Sequence, residues 1–111
     1  MKDLNVGLVG FGTVGAGVAR ILLNGAESIA SKTGVRLALK AVCDVDTTRD
    51  RGVELPAGLL SDRLETVLDD PDIGVVVELV GGVSFARDLI LKALDRGKHV
   101  VTANKALLAL H

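Results

Sequence analysis

The sequence has few of the residues on which several classes of protein depend. Its 111 residues include one cysteine, two prolines and two phenylalanines, with no tryptophan or tyrosine. The single cysteine, Cys43, cannot form an internal disulfide, which favours a reducing, cytoplasmic location. Two aromatic rings, Phe11 and Phe85, are too few for the stacking surface that single-strand nucleic-acid binders use.

The chain also lacks a charge bias and any long hydrophobic run. Its 13 basic and 14 acidic side chains leave a formal net charge of −1, whereas a nucleic-acid module usually needs a basic face. No apolar run approaches the roughly 18 residues needed to span a bilayer, and the start of the chain leaves no room for a signal peptide. We therefore expect a single domain with an aliphatic core and with neither a nucleic-acid nor a membrane partner.

Apolar segments of two kinds alternate along the chain. Nearly continuous apolar runs predict buried strands at 5–9, 35–43, 58–60, 74–80 and 99–102. Three- and four-residue spacing predicts helices at 13–32 with a kink or break at Gly25, after a cap at Ser61, at 84–96 and at 106–110. This alternation predicts a Rossmann-type, doubly wound α/β fold. Its parallel sheet of about five strands has helices on both faces and the strand order 3-2-1-4-5.

Two of these helices carry a predicted inward face. In the first it comprises Val14, Val18, Ile21, Leu22 and Ile29. In the helix at 84–96 it comprises Ala86, Leu89, Ile90, Ala93 and Leu94.

Three glycines at the first strand–helix junction form a G-x-G-x-x-G pattern. Gly10 permits a tight turn, Gly12 lets a pyrophosphate approach the backbone, and Gly15 lets the helix pack against the strand. The anion then meets free N–H groups at the positive end of the helix dipole. The alternative is a close helix–strand crossing without a ligand. The context between a strand and a helix favours a dinucleotide site.

An acidic residue ends the second predicted strand, where a dinucleotide site needs an acceptor for the adenosine ribose hydroxyls. This residue, Asp44, lies 34 positions after Gly10, and the long first helix accounts for the wide spacing. Asp44 favours NAD, but Arg49 and Arg51 follow closely and could meet the 2′-phosphate of NADP. A solvated loop carboxylate is the alternative.

Further candidates follow the fourth and fifth predicted strands, at the carboxyl edge where open α/β sheets bind ligands. Gly81 and Gly82 could admit the nicotinamide half of a cofactor, or form a plain turn. Lys105 follows the fifth strand and is either functional or an ordinary surface lysine. Glu78 is unusual among valines and is expected to reach a strand end or a subunit contact. The histidines and Cys43 lack metal-ligand spacing, so no metal site is expected.

Three blocks of sequence together resemble homoserine dehydrogenase. They are GLVGFGTVG at 7–15, VELVGG at 77–82 and GKHVVTANKALLA at 97–109. The resemblance implies NAD- or NADP-linked interconversion of L-aspartate 4-semialdehyde and L-homoserine, on the route to threonine, methionine and isoleucine. The third block is the most specific, because many dehydrogenases share the first.

The resemblance also assigns roles to individual residues. The pyrophosphate cradle would comprise Phe11, Gly12, Thr13 and Val14. The cleft around the nicotinamide would be lined by Gly81, Gly82, Thr102, Ala103 and Lys105. Of these, Lys105 would lie near the substrate carbonyl and is the candidate catalytic residue.

The family's enzymes continue into a substrate-binding and dimerising domain that this chain lacks. We therefore interpret residues 1–111 as an excised cofactor domain, which alone does not turn over homoserine and whose parent enzyme is a homo-oligomer. Two alternatives remain open: the cofactor domain of a related dehydrogenase acting on aspartate, and a module that senses nucleotides without chemistry.

Overall fold

The structure, a computed structural model, describes residues 2–80 and 83–102. The strands are β1 (Lys2–Val9), β2 (Val35–Cys43), β3 (Leu60–Ser61), β4 (Val75–Glu78) and β5 (His99–Thr102). The helices are α1 (Thr13–Asn24), α2 (Ala26–Thr33), α3 (Glu65–Leu68) and α4 (Val83–Asp95). The strands form one sheet in the order β3-β2-β1-β4-β5, and every neighbouring pair is parallel. This confirms the predicted fold class and strand order.

Alternate residues of the central strands supply two hydrophobic cores, one on each face of the sheet. In β1, Leu8 joins a core with Ala16 and Ala19 of α1. The next residue, Val9, joins the opposite core, whose helical members are Val67 and Leu68 of α3 and Leu89 and Ala93 of α4. Because strand side chains alternate between faces, helices must cover both sides, as predicted.

The long first helix is divided at Gly25. Its N–H donates to the carbonyl of Ile21, 2.7 Å away, and closes α1, and α2 begins at the next residue. The break predicted at Gly25 is therefore confirmed. The predicted inward face is partly wrong, because Val14 and Ile21 are 62% and 58% exposed. The buried residues of α1 are mostly small, so the helix lies close to the sheet and its bulky residues fall outside the contact.

The remaining elements differ from the prediction in detail. Ser61 belongs to β3, and its Oγ accepts the N–H of Arg63, whereas α3 begins without a side-chain cap, so the predicted cap is wrong. In α4, Leu94 is 54% exposed and not inward. The predicted helix at 106–110 lies outside the described residues. Within the described part of the chain, no helix is long and apolar enough to cross a membrane.

Two lysines contact the segment that precedes β4 at the amino edge of the sheet. Lys40 is an extra residue in β2, because Val6 pairs with Leu39 and Gly7 with Ala41, and its Nζ lies 2.9 Å from an Asp72 carboxylate oxygen. Lys98, only 6% exposed, precedes β5. Its Nζ donates to the carbonyls of Asp70 and Ile73, each 2.6 Å away.

Candidate functional site

Two glycines of the loop between β1 and α1 are required by backbone geometry. Gly10 has φ +104°, and a Cβ there would lie 2.8 Å from the carbonyl carbon of Leu79. A Cβ at Gly15 would lie 2.0 Å from the carbonyl oxygen of Gly10. Residues with side chains would strain the first position and clash at the second. The tight turn and the close helix–strand packing predicted for these residues are both observed.

Gly12 differs, because apart from its chain neighbours no described residue lies within 4 Å of the Cβ it lacks. It caps α1, and its carbonyl accepts the N–H of Ala16. Among the described residues, the N–H groups of Gly12, Thr13 and Val14 find no acceptor, and the first turn of α1 carries no acidic side chain. Open space and free N–H groups at the positive end of a helix fit a pyrophosphate.

Asp44 directly follows β2 and accepts a hydrogen bond from the glycine loop. Its Oδ2 accepts the N–H of Phe11, 2.6 Å away, and its Oδ1 accepts the N–H of Asp46. The carboxylate therefore lies at the predicted edge of the sheet but already has donors on both oxygens. Each oxygen can accept more than one hydrogen bond, so a ribose hydroxyl remains compatible with this arrangement.

The two arginines that follow Asp44 have different environments. The side chain of Arg51 is only 4% exposed, and its guanidinium lies 3.4 Å from Asp44 Oδ1 and 4.9 Å from the centre of the Phe11 ring. It also donates to the carbonyls of Arg49 and Asp46. Arg51 thus stabilises the loop after β2. Arg51 and the exposed Arg49 both line a cavity of about 290 Å³ with Thr13 and Arg20. Of the two, Arg49 is the arginine accessible to a 2′-phosphate.

A cleft of about 330 Å³ opens above the carboxyl ends of the central strands. It is lined by Val9, Gly10, Gly12, Cys43, Asp44, Val45, Leu79, Val80 and Phe85. Three apolar members are exposed: Val45 (96%), Val80 (48%) and Phe85 (48%). None of these three residues was expected at the site from the sequence. Phe85 could have been identified from the sequence, because it is one of two aromatic residues and lies off the inward face of α4.

The carboxyl ends of β4 and β5 are joined by side chains. Glu78 and Thr102 are register partners, and the Thr102 hydroxyl donates to Glu78 Oε1, 2.6 Å away. Glu78 Oε2 accepts the N–H of Val80, 2.8 Å away. Of the two expectations for Glu78, the strand end is the one observed. The candidates Gly81, Gly82, Ala103 and Lys105 lie outside the described residues.

Cys43 lies in the cleft but is poorly suited to nucleophilic chemistry. Burial, with a smaller contribution from the neighbouring Asp44 carboxylate, raises the pKa of the Cys43 thiol. A raised pKa keeps the thiol protonated near neutral pH, and the thiolate is the reactive form. Among the described residues, no group of three or more His, Cys, Asp or Glu side chains is arranged to hold a metal ion.

Comparison with known proteins identifies the family of this chain. The family described as "Homoserine dehydrogenase, NAD binding domain" matches residues 10–111. The homoserine dehydrogenase of Neisseria gonorrhoeae is 44% identical over 98% of this chain and 25% of its own length. That of Bacillus subtilis is 40% identical over 100% of this chain and 26% of its own length.

Solved structures agree with the sequence relatives. A homoserine dehydrogenase from Thiobacillus denitrificans superposes with a TM-score of 0.86 at 41% identity, over 99% of this chain and 25% of that one. The chain thus spans about a quarter of the length of the relatives it matches. With this match and the strand–glycine–helix geometry together, the chain belongs to the homoserine dehydrogenase family, as its NAD-binding domain.

Proposed function

We propose that this chain holds the NAD or NADP cofactor of an oxidoreductase that interconverts L-aspartate 4-semialdehyde and L-homoserine. The observation that carries the proposal is the open space at Gly12 beside the unpaired N–H groups of α1. A bound cofactor there supplies or accepts the hydride. The chain's own residues supply binding and orientation, and the substrate-binding groups belong to parts of the protein beyond this chain.

Each part of the cofactor has matching residues. The loop from Gly10 to Gly15 takes the pyrophosphate. The exposed apolar side chains of Val45 and Phe85 suit the faces of an adenine ring, because they bring apolar surface to the same cleft as Asp44. Asp44 then accepts a ribose hydroxyl in addition to its backbone donors.

The nicotinamide side of the proposal rests on the sequence resemblance. Gly81, Gly82, Thr102 and Ala103 flank the nicotinamide, and Lys105 is the catalytic residue of this chain. A lysine beside the substrate carbonyl can stabilise or protonate the oxyanion that forms as the semialdehyde is reduced. Lys105 follows Thr102, the last residue of β5, by three residues in the sequence.

The same proposal includes the cofactor preference, the oligomeric state and the location of the parent enzyme. Asp44 favours NAD and the accessible Arg49 allows NADP, so cofactor preference stays open between the two. A homo-oligomer and a cytoplasmic location are proposed with them, the second supported by the free, buried thiol of Cys43.

Titration calorimetry on this chain with NADH and NADPH tests the proposal. Substituting Gly12→Val fills the open space above the loop and should weaken binding by at least about tenfold, because the branched side chain occupies the path of the pyrophosphate. The fold should survive, since the first added carbon has open space around it among the described residues.

Gly17→Val is the matched control. Gly17 also lies in α1 with open space around its missing Cβ, but more than a turn beyond Gly12. It should bind both cofactors like the unaltered chain. If the unaltered chain binds neither cofactor, or Gly12→Val binds as tightly as Gly17→Val, the proposal is wrong.

A further inference from the structure

The most unusual side chain at the carboxyl edge of the sheet is a fully buried carboxylate. Glu78 ends β4 with 0% exposure, directly after three valines. An apolar side chain would complete this strand without the penalty of removing a charge from water. A charged group at this position therefore calls for a reason other than core packing.

Its two oxygens hold two different segments of the chain. Oε2 accepts the N–H of Val80, two residues later, in the segment that follows β4. Oε1 accepts the hydroxyl of Thr102, the last residue of β5. One planar carboxylate thus fixes the ends of two adjacent strands relative to each other, and charge-assisted hydrogen bonds are about twice as strong as neutral ones.

Both anchored residues connect to the cofactor cleft. Val80 lines the cleft directly and precedes Gly81. Thr102 precedes the segment that contains Lys105. Glu78 itself is not among the residues that line this cleft, so its effect on a cofactor bound there passes through neighbours such as Val80 and Thr102.

We propose that Glu78 is a positioning residue, whose carboxylate joins Val80 to Thr102 and so fixes the nicotinamide side of the cleft. The inference rests on the proposed cofactor function. It assigns Glu78 to the nicotinamide half of the cofactor and not to the adenosine half, which contacts the glycine loop and Asp44 on the other side of β1.

The test compares NADH with ADP-ribose, which has the same adenosine, pyrophosphate and second ribose but no nicotinamide. In Glu78→Gln the amide nitrogen replaces one acceptor oxygen and faces an N–H or O–H donor. NADH affinity should fall about tenfold, the effect of one lost charge-assisted hydrogen bond, while ADP-ribose affinity stays within about twofold. Glu27→Gln makes the same change at an exposed side chain and should alter neither affinity.

A second pair of variants keeps the test decisive if Glu78→Gln does not fold. Thr102→Val removes only the hydroxyl that Glu78 accepts and should show the same selective loss of NADH affinity. Thr102→Ser keeps a hydroxyl and should recover most of it.

Three outcomes would overturn the inference. They are equal losses for NADH and ADP-ribose, no loss for either, and an unaltered chain that binds NADH no more tightly than ADP-ribose. Failure of the unaltered chain to bind both ligands would instead contradict the proposed cofactor function.

Discussion

The two edges of the sheet differ in the charge of their buried polar residues: Glu78 lies at the carboxyl edge and Lys98 at the amino edge. At the carboxyl edge, Asp44 and Glu78 accept backbone N–H groups from the segments that follow β2 and β4. At the amino edge, Lys98 donates to backbone carbonyls of the segment between α3 and β4, and Lys40 pairs with aspartates of the same segment. Carboxylates thus accept backbone N–H groups at one edge, and a lysine donates to backbone carbonyls at the other.

The direction of the strands explains this difference. In a parallel sheet with helical connections, helices begin at the carboxyl edge and end at the amino edge. Helix starts leave unpaired N–H groups and helix ends leave unpaired carbonyls, so the first edge favours acceptors and anions and the second favours cations. The carboxyl edge can therefore take a phosphate-bearing ligand, whereas the amino edge is already satisfied by the chain's own lysines.

The largest expected effect is at the amino edge. Lys98→Met removes the donor to the carbonyls of Asp70 and Ile73 and leaves both without this partner. We expect the free energy of unfolding to fall by about 2–4 kcal/mol, measured by urea denaturation. Lys92→Met, at an exposed position in α4, should change it little.

We expect Lys98→Met to lower the stability of the chain without lowering its cofactor affinity. Folded Lys98→Met should bind NADH as the unaltered chain does, because Lys98 lies at the edge opposite the cleft. Weakened binding in the folded variant, or unchanged stability, would contradict a purely structural role for the amino edge.

A smaller and different effect is expected at the carboxyl edge. Asp44→Asn keeps one acceptor oxygen but turns an NH₂ group toward the N–H of Asp46 or Phe11, which are themselves donors. We expect a loss of about 1–2 kcal/mol in unfolding free energy together with weaker cofactor binding. Asp88→Asn, on the exposed side of α4, is the control. A stability loss without any change in cofactor affinity would make the two edges alike.

Much of this arrangement could be predicted from the sequence, because it depends on local pattern. The strand order follows from alternating apolar runs, and the turn at Gly10 follows from glycine spacing. The role of Arg51 could not be predicted, since its burial against Phe11 and Asp44 depends on how the loop after β2 folds back. Val14, Ile21 and Leu94 were assigned inward by helical spacing alone. The actual contact face of α1 is set by small residues that permit close approach, which periodicity does not encode.

The role of Glu78 could be predicted only in part from the sequence. Its place among valines marked it as unusual, but the register that brings it opposite Thr102 comes from the pairing of β4 with β5. Val45, Val80 and Phe85 were missed for a related reason. They line the cleft as exposed apolar residues. Nothing in the sequence distinguishes a valine that lines a cleft from any other exposed valine in a loop.

The smallest expected effect concerns pH and should appear at both edges alike. At the carboxyl edge, the N–H groups of Thr48 and Arg49 lower the pKa of the Asp46 carboxyl. At the amino edge, the N–H of Asp72, together with Lys40, lowers the pKa of the Asp70 carboxyl. Because the pKa of each group is lower in the folded state, each contributes stability above its ordinary pKa of about 3.9, and that contribution is lost as pH falls through this value toward the folded pKa.

Urea denaturation between pH 6 and about pH 3 measures this contribution. The free energy of unfolding should fall with decreasing pH in the unaltered chain. Asp46→Asn and Asp70→Asn should each flatten that fall, whereas Asp88→Asn should leave its slope unchanged. Both aspartates act by accepting backbone N–H groups of tight turns, which occur at either edge irrespective of helix direction. A flattened slope in one variant only would mean that the sheet's polarity governs partly exposed turn carboxylates as well as buried charges.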